Sequence, residues 1–478
     1  MIEKKLAEII IRNLGVEPTL SQQQAIDDIA RFLFDDDPQS LYLLKGYAGT
    51  GKTLLISSLV QSLKPFRIQT QLLAPTGRAA KVLSGYALHP AYTVHKKIYR
   101  QQSSSDGTGK FVLDFNKHQN TLFIVDEASM IANGNSDYFL FGSGRLLDDL
   151  IEYVYNGKNC RLMLAGDTAQ LPPVGLVVSE ALDTSYLSNY SLKVYTSVLS
   201  DVIRQSLESG ILHNATSIRL HLRHKTSDSF VPIRTEGMDD LVRIGGERLI
   251  DEIGDCYDRY GIEETIVITR SNKRANLYNE GIRRTILWRE SELEAGDYLM
   301  VVKNNYHYVH ADEGLAFVAN GDIAKVVKVH RTEEIYGFRF ATVTLLLSDY
   351  NNLEIECKIF LDTLTLEGPS FGQEDNQRLF EQIQTDYLHI RNKADRWKEI
   401  RENEYFNALQ VKYAYAVTCH KAQGGQWDAV FVDHGFLSPE KVDIGFLRWL
   451  YTAFTRPRKK LYLVNFDKHF FQNPDSGD

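Results

Sequence analysis

The chain has 478 residues, 43% hydrophobic and 24% charged, enough for two to four domains, since single cores rarely grow past about 250 residues. No apolar run approaches the roughly 18 residues of a membrane span, and the amphipathic opening MIEKKLAEIIIRNLG lacks the apolar core and cleavage site of a signal peptide, so a cytoplasmic protein is expected. With 54 basic residues against 62 acidic, net −8, the molecule is no polycation, and any nucleic-acid contact must be a local groove. Cys160, Cys256, Cys357 and Cys419 share no paired spacing, which argues against a zinc site or a disulfide framework and for buried thiols.

In chain order, LYLLK (41–45) reads as a strand and TLLISSLVQSL (53–63) as a helix, and Gly46 to Thr53 between them fits GxxxxGK(S/T). That is the context this pattern requires. Gly46, Ala48, Gly49, Thr50 and Gly51 form a turn whose N–H groups face phosphates at a helix start; Lys52 reaches the β and γ phosphates and the Thr53 hydroxyl ligates magnesium. The apolar strand in TLFIVDEASM (121–130) ends in Asp126 and Glu127. Asp126 suits magnesium held through water, and Glu127 suits a general base on the attacking water, although paired acids also occur as solvated turn residues. RLMLAGDTAQLPPVG (161–175) repeats the pattern of strand and polar edge, and makes Gln170 a candidate sensor of the γ phosphate, or part of a loop stopped by prolines.

Singly these motifs say only P-loop NTPase. Their order along the chain resembles the superfamily 1B DNA helicases of the RecD-like and Dda-like group. Leu20 to Gln24 resembles the Q motif, LLAPTGRAAKVL (72–83) and TVHKKIY (93–99) resemble motifs Ia and Ib, LSDVIRQ (199–205) motif IV, YAYAVTCHKAQGGQWDAVFV (413–432) motif V, and RWLYTAFTRPRKKLYLV (448–464) motif VI. The resemblance implies ATP and Mg2+ as cofactors, held between two RecA-like domains, with Gln24 reading adenine, Gly424 and Gln426 near the nucleotide, and Arg204 and Arg456 reaching across the cleft to spread negative charge on the γ phosphoryl group. Arg458 is a rival for the motif VI role. It further implies single-stranded DNA and its junctions with duplex as partners, with Pro75, Thr76, His95, Thr418, His420 and Lys421 on the backbone track. RNA stays open as a track, because backbone contacts need not exclude a 2′-hydroxyl. Gln426 stands where relatives often carry a glutamate, and Ala422 where a serine is common.

The expected fold class is α/β: two RecA-like parallel-sheet domains in tandem, with a small SH3-like β-barrel inserted in the second and a short pin in the first. Residues 1–200 form the first domain, and 201–295 with 405–478 the second. In the second, 264–284 reads as strand then helix, 412–418 as a strand, and 444–464 as helix then strand. Short β-rich runs and turns over about 296–370 imply the barrel, with a charged helical segment completing the insert to 404. Related helicases place a duplex-splitting pin near 83–93, where Tyr86, His89 and Tyr92 could stack on the last base pair or pack as a surface loop; 101–110 reads as an exposed loop. The expected activity is ATP-dependent unwinding with 5′-to-3′ translocation; the alternative is a nucleic-acid-stimulated ATPase that remodels protein–DNA complexes or anneals strands.

Overall fold

The computed structural model describes residues 2–102, 110–134, 142–201, 209–224, 231–305, 307–308, 317–350, 352–435, 437 and 442–472. The first domain comprises α1 (Ile2–Leu14), α2 (Leu20–Leu33), β1 (Ser40–Gly46), α3 (Lys52–Ser62), β2 (Gln69–Ala74), α4 (Gly77–Ala87), β3 (Ala91–Thr93), α5 (Val94–Ile98), β4 (Tyr99–Gln102), β5 (Lys110–Leu113), β6 (Thr121–Val125), α6 (Leu146–Tyr155), β7 (Arg161–Gly166), α7 (Thr184–Ser188) and β8 (Lys193–Leu199). Six strands pair in parallel in the order β3-β2-β6-β7-β1-β8. Alternate side chains explain the helices on both faces: Tyr42 and Leu44 pack with Leu6, Ile26, Leu55 and Leu59 on one side, and Leu41 and Leu43 with Leu147, Leu150 and Val154 on the other.

The second domain begins with α8 (Gly210–His224), which the sequence reading left unassigned, and continues with β9 (Leu241–Ile244), α9 (Leu249–Tyr260), β10 (Thr265–Thr269) and α10 (Asn272–Gly281). Four strands follow, β11 (Tyr298–Val301), β12 (Ile323–Ile335), β13 (Phe338–Leu347) and β14 (Leu353–Phe360), then α11 (Gln373–Asp386), α12 (Lys393–Glu402), β15 (Leu409–Tyr413), β16 (Ala416–Thr418), α13 (Cys419–Ala422), β17 (Trp427–Asp433), α14 (Ile444–Phe454) and β18 (Pro457–Val464). Strands β16-β10-β17-β18-β9 form a second parallel sheet, and β11 to β15 close into a barrel. Among the described residues no helix is long and apolar enough to cross a membrane.

Two expectations change. The run 412–418 is not one strand: β15 pairs with β11 in the barrel, β16 pairs with β10 in the sheet, and the chain crosses between them at Ala414 and Tyr415, so the insert closes at Tyr413 rather than 404. Nor do residues 83–93 project as a pin, for they are the last turns of α4, a reversal at Leu88 with φ +49, and β3 at the sheet edge. His89 Nε2 lies 3.3 Å from Thr70 Oγ1, which ties this turn to its own scaffold. The first domain carries an antiparallel pair, β4–β5, whose strands overlap only the two ends of the stretch 101–110 read as a loop; 103–109 lie outside the described residues.

Where the barrel leaves the sheet, Asp297 is fully buried. It accepts from Arg283 Nε at 3.0 Å and Nη2 at 2.8 Å, from the Tyr415 hydroxyl at 2.9 Å and from the Glu294 N–H at 2.8 Å. Removing one partner of such a buried pair strands the other charge. Asp297→Ala is expected to destabilise the second domain by about 3–5 kcal/mol, measured as a lower urea midpoint; an unchanged midpoint would contradict this role.

Candidate nucleotide cleft and nucleic-acid track

The turn after β1 closes because Gly49 and Gly51 adopt φ of +74° and +76°, a region that side chains with a Cβ rarely enter. Gly51 precedes α3 with no side-chain cap, so the first N–H groups of that helix are left for an anion. Thr50 turns inward, its hydroxyl donating to Tyr47 O at 2.7 Å, while Thr53 faces the cavity. Lys52 Nζ lies 3.3 Å from Asp126 Oδ1. Burial opposes its charge, but the fields of Asp126, Glu127 and Asp167 outweigh that and hold its pKa above the usual lysine value.

Asp126 and Glu127 follow β6, and the Glu127 N–H donates to Asp126 Oδ1 at 2.9 Å. Glu127 has φ +53° and ψ +35°, a left-handed conformation that costs a non-glycine residue of order 1 kcal/mol and concentrates at functional sites. Asp167 follows β7; burial raises its carboxyl, against the stabilising hydrogen bond from Tyr451 and the charge of Lys52. These groups line a cavity of about 530 Å³ together with Gly46, Ala48, Gly49 and Gln170, within the size range of small-molecule and cofactor sites. Glu127 Oε2 and Gln170 Oε1 are buried with no hydrogen-bond partner among the described residues. Orphaned acceptors beside a charged lysine and a free helix start fit a magnesium triphosphate and its attacking water.

The far wall belongs to the second domain. Gly424, Gln426 and Arg456 face the same cavity. Arg456 is 3% exposed, and its guanidinium donates to Thr452 O at 3.0 Å, Gly425 O at 3.2 Å and Thr455 Oγ1 at 2.8 Å. Arg458 also borders the cavity but pairs with Asp428 at 2.8 Å and with Glu264, the bonds of a surface salt-bridge residue. Arg204 lies outside the described residues. Gln24 is exposed on α2 and off the cavity wall, whereas Gln22 is buried, completes a capping box with Thr19, and donates to Thr50 O at 3.0 Å. Tyr86, expected on a pin, instead borders the nucleotide cavity.

The remaining residues expected on the track sit at the carboxyl ends of parallel strands, where ligands of open α/β sheets bind. Pro75 and Thr76 follow β2, His95 follows β3, which is paired to it, Thr418 ends β16, and His420 and Lys421 follow it. Thr76 caps α4 through the Ala79 N–H at 3.2 Å. Burial pushes the His95 imidazole down to about 4 and lowers that of His420, so neutral rings, not cations, stand at these strand ends at neutral pH. The Lys421 ammonium donates to Asn320 Oδ1 on the barrel at 2.5 Å. Tyr92 is partly exposed beside Lys96 and Lys97, whose ammonium groups lie 5.5 and 5.8 Å from its ring centre.

A cleft with a phosphate loop on one RecA-like sheet and an arginine from a second defines a P-loop NTPase with two RecA-like domains. The profile of the AAA domain family matches residues 19–226 and that of the UvrD-like helicase C-terminal domain matches 413–464. The order of these two modules supports a superfamily 1B helicase. It is similar to the uncharacterized protein R530 of Acanthamoeba polyphaga mimivirus, 22% identical over 92% of this chain and 98% of the relative. It is also similar to the ATP-dependent RecD2 DNA helicase of Deinococcus radiodurans, 23% identical over 96% of this chain but 53% of the relative, so the chain spans about half the length of that protein. Among solved structures it is similar to the Pif1 helicase of Candida albicans, with 16% identity, 94% of this chain and 95% of that chain covered, and a TM-score of 0.46.

Replacing the orphaned carboxylate while keeping its shape tests the site. Glu127→Gln is expected to lower ATP turnover by at least about 100-fold, the contribution of a positioned general base, with ATP binding retained. Phosphate release measures the first and nucleotide fluorescence the second; near-normal turnover would remove Glu127 from the chemistry.

Proposed function

We propose that the protein is an ATP-dependent DNA helicase that moves along single-stranded DNA and unwinds duplex ahead of it. The observation that carries the reading is the composite cavity, with Lys52, Thr53, Asp126, Glu127 and Gln170 on one sheet domain and Gly424, Gln426 and Arg456 on the other. The backbone turn 46–51 and Lys52 would hold the phosphates, and Thr53 and Asp126 would hold the metal. Bound ATP with magnesium supplies the driving free energy. Glu127 accepts a proton from the attacking water, Gln170 orients that water, and Arg456 turns from its backbone acceptors toward the developing charge. Hydrolysis thereby depends on the second domain being in place.

Thr76 of the first domain lies beside motif V of the second, since a Cβ on Gly424 would come 3.2 Å from Thr76 Oγ1. A group assigned to the strand, Thr76, thus lies against a residue assigned to the nucleotide cleft, Gly424. Direction, 5′ to 3′, enters from the family resemblance. Strand displacement on matched forks with either a 5′ or a 3′ tail tests it: displacement from the 5′ tail is expected, and displacement confined to the 3′ tail would overturn the direction. One observation favours the second reading, an ATPase that remodels protein–DNA complexes or anneals strands, namely that 83–93 form no wedge. ATP turnover stimulated by single strands with no displacement on either fork would decide for it.

Because the track is read as a backbone contact, binding to oligo-dT is expected to weaken steeply with salt. Lys421→Ala is expected to reduce the slope of log Kd against log salt by about one, equally for DNA of any sequence; an unchanged slope would place Lys421 off the track.

A further inference from the structure

The phosphate loop and the sensor loop of the first domain are both held by one helix of the second. Tyr451 on α14, 1% exposed, accepts the Ala48 N–H at 3.0 Å and donates its own proton to Asp167 Oδ2 at 2.5 Å. The next residue, Thr452, accepts the Leu171 N–H at 2.9 Å. Gln423 donates to Leu171 O at 2.8 Å, and the Arg219 guanidinium of α8 lies 4.5 Å from the centre of the Tyr47 ring. Tyr451 does not line the cavity itself.

We propose that Tyr451 is a positioning residue that couples nucleotide occupancy to domain closure. Its hydroxyl is the only atom joining the phosphate loop to Asp167 through the second domain among the described residues. The bond to Asp167 is charge-assisted and buried, where such bonds are strong and their loss is costly. With the domains together, removing the hydroxyl leaves the Ala48 N–H and the Asp167 carboxylate without this partner. With the domains apart, water serves both. The hydroxyl therefore favours the closed arrangement selectively, and a phosphate that reshapes the turn at Ala48 alters the same bond. Ser or Phe at 451 would fill or vacate the site without restoring this link, because neither places an oxygen at the end of an aromatic ring.

The inference rests on the motor reading above, and the test separates the two. Affinity for oligo-dT is measured with and without the ATP analogue AMP-PNP, in the wild type and in Tyr451→Phe, which keeps the ring. In the wild type the two Kd values are expected to differ; if they do not, the motor reading fails. In Tyr451→Phe the ratio is expected to move toward one by about fivefold or more, at a Tm close to that of the wild type. A wild-type ratio kept in full by the variant would overturn the proposal while leaving the motor reading intact. Should Tyr451→Phe not fold, Asp167→Asn, which keeps the shape and removes the charge, is read in the same way, and an unchanged ratio there overturns the coupling equally.

Discussion

Lys52 is a largely buried ammonium facing three carboxylates, Asp126, Glu127 and Asp167, and the first domain is organised to bring these charges together. Each is delivered by the carboxyl end of a neighbouring strand: β1 through the turn to Lys52, β6 to the acidic pair and β7 to Asp167. Parallel strands with their ends in register supply that convergence, and apolar packing on both faces keeps the ends aligned. One cation against three acids leaves an excess of negative charge in a poorly solvated cleft. That imbalance suits a divalent ion, and burial raises the Asp167 carboxyl.

The second constraint is closeness between domains. Gly424 adopts φ +74°, and a Cβ there would sit 2.8 Å from Ala79 Cβ on α4. A side chain at this position would push the domains apart, so the glycine serves contact as well as turn geometry. Beside it, the Arg78 guanidinium of the first domain lies 4.0 Å from the centre of the Trp427 ring of the second and donates to Gln426 O at 3.1 Å. The substitution of Gln426 and Trp427 into motif V thus has a structural side: the backbone of one and the ring of the other receive an arginine from across the interface.

Much of this was legible before any coordinates. The phosphate loop, the acidic pair and the glutamine are each announced by an apolar strand ending in polar residues, and the barrel by short β-rich runs separated by turns rich in Gly, Asn and Asp. Other features were hidden for physical reasons. QQSSSDGTGK reads as loop because its turn residues outnumber the residues of β4 and β5 that flank them. AYT is too short to display alternation, so the edge strand β3 looked like part of an insertion. KYAYAVT is an unbroken β-favouring run, and no glycine or proline marks the point where it leaves the barrel for the sheet. Gln22 and Gln24 differ only in which face of α2 they occupy, which periodicity alone did not settle. Tyr451 sits in the apolar run WLYTAF, where a tyrosine looks like core, and only its hydroxyl partners distinguish it.

The unbroken passage from β15 to β16 gives the barrel its mechanical character. Ala414 donates its N–H to Tyr298 O at 2.9 Å and the Tyr298 N–H meets the Tyr415 hydroxyl at 3.1 Å, so no slack chain separates barrel from sheet. At its other end the barrel presses on the first domain: a Cβ on Gly77 would lie 2.5 Å from Asp322 Oδ1. The barrel is thus joined to one domain without slack and meets the other at a position where a side chain would clash. Gly77, which lines no part of the nucleotide cavity, thereby sets how closely the barrel and the first domain approach.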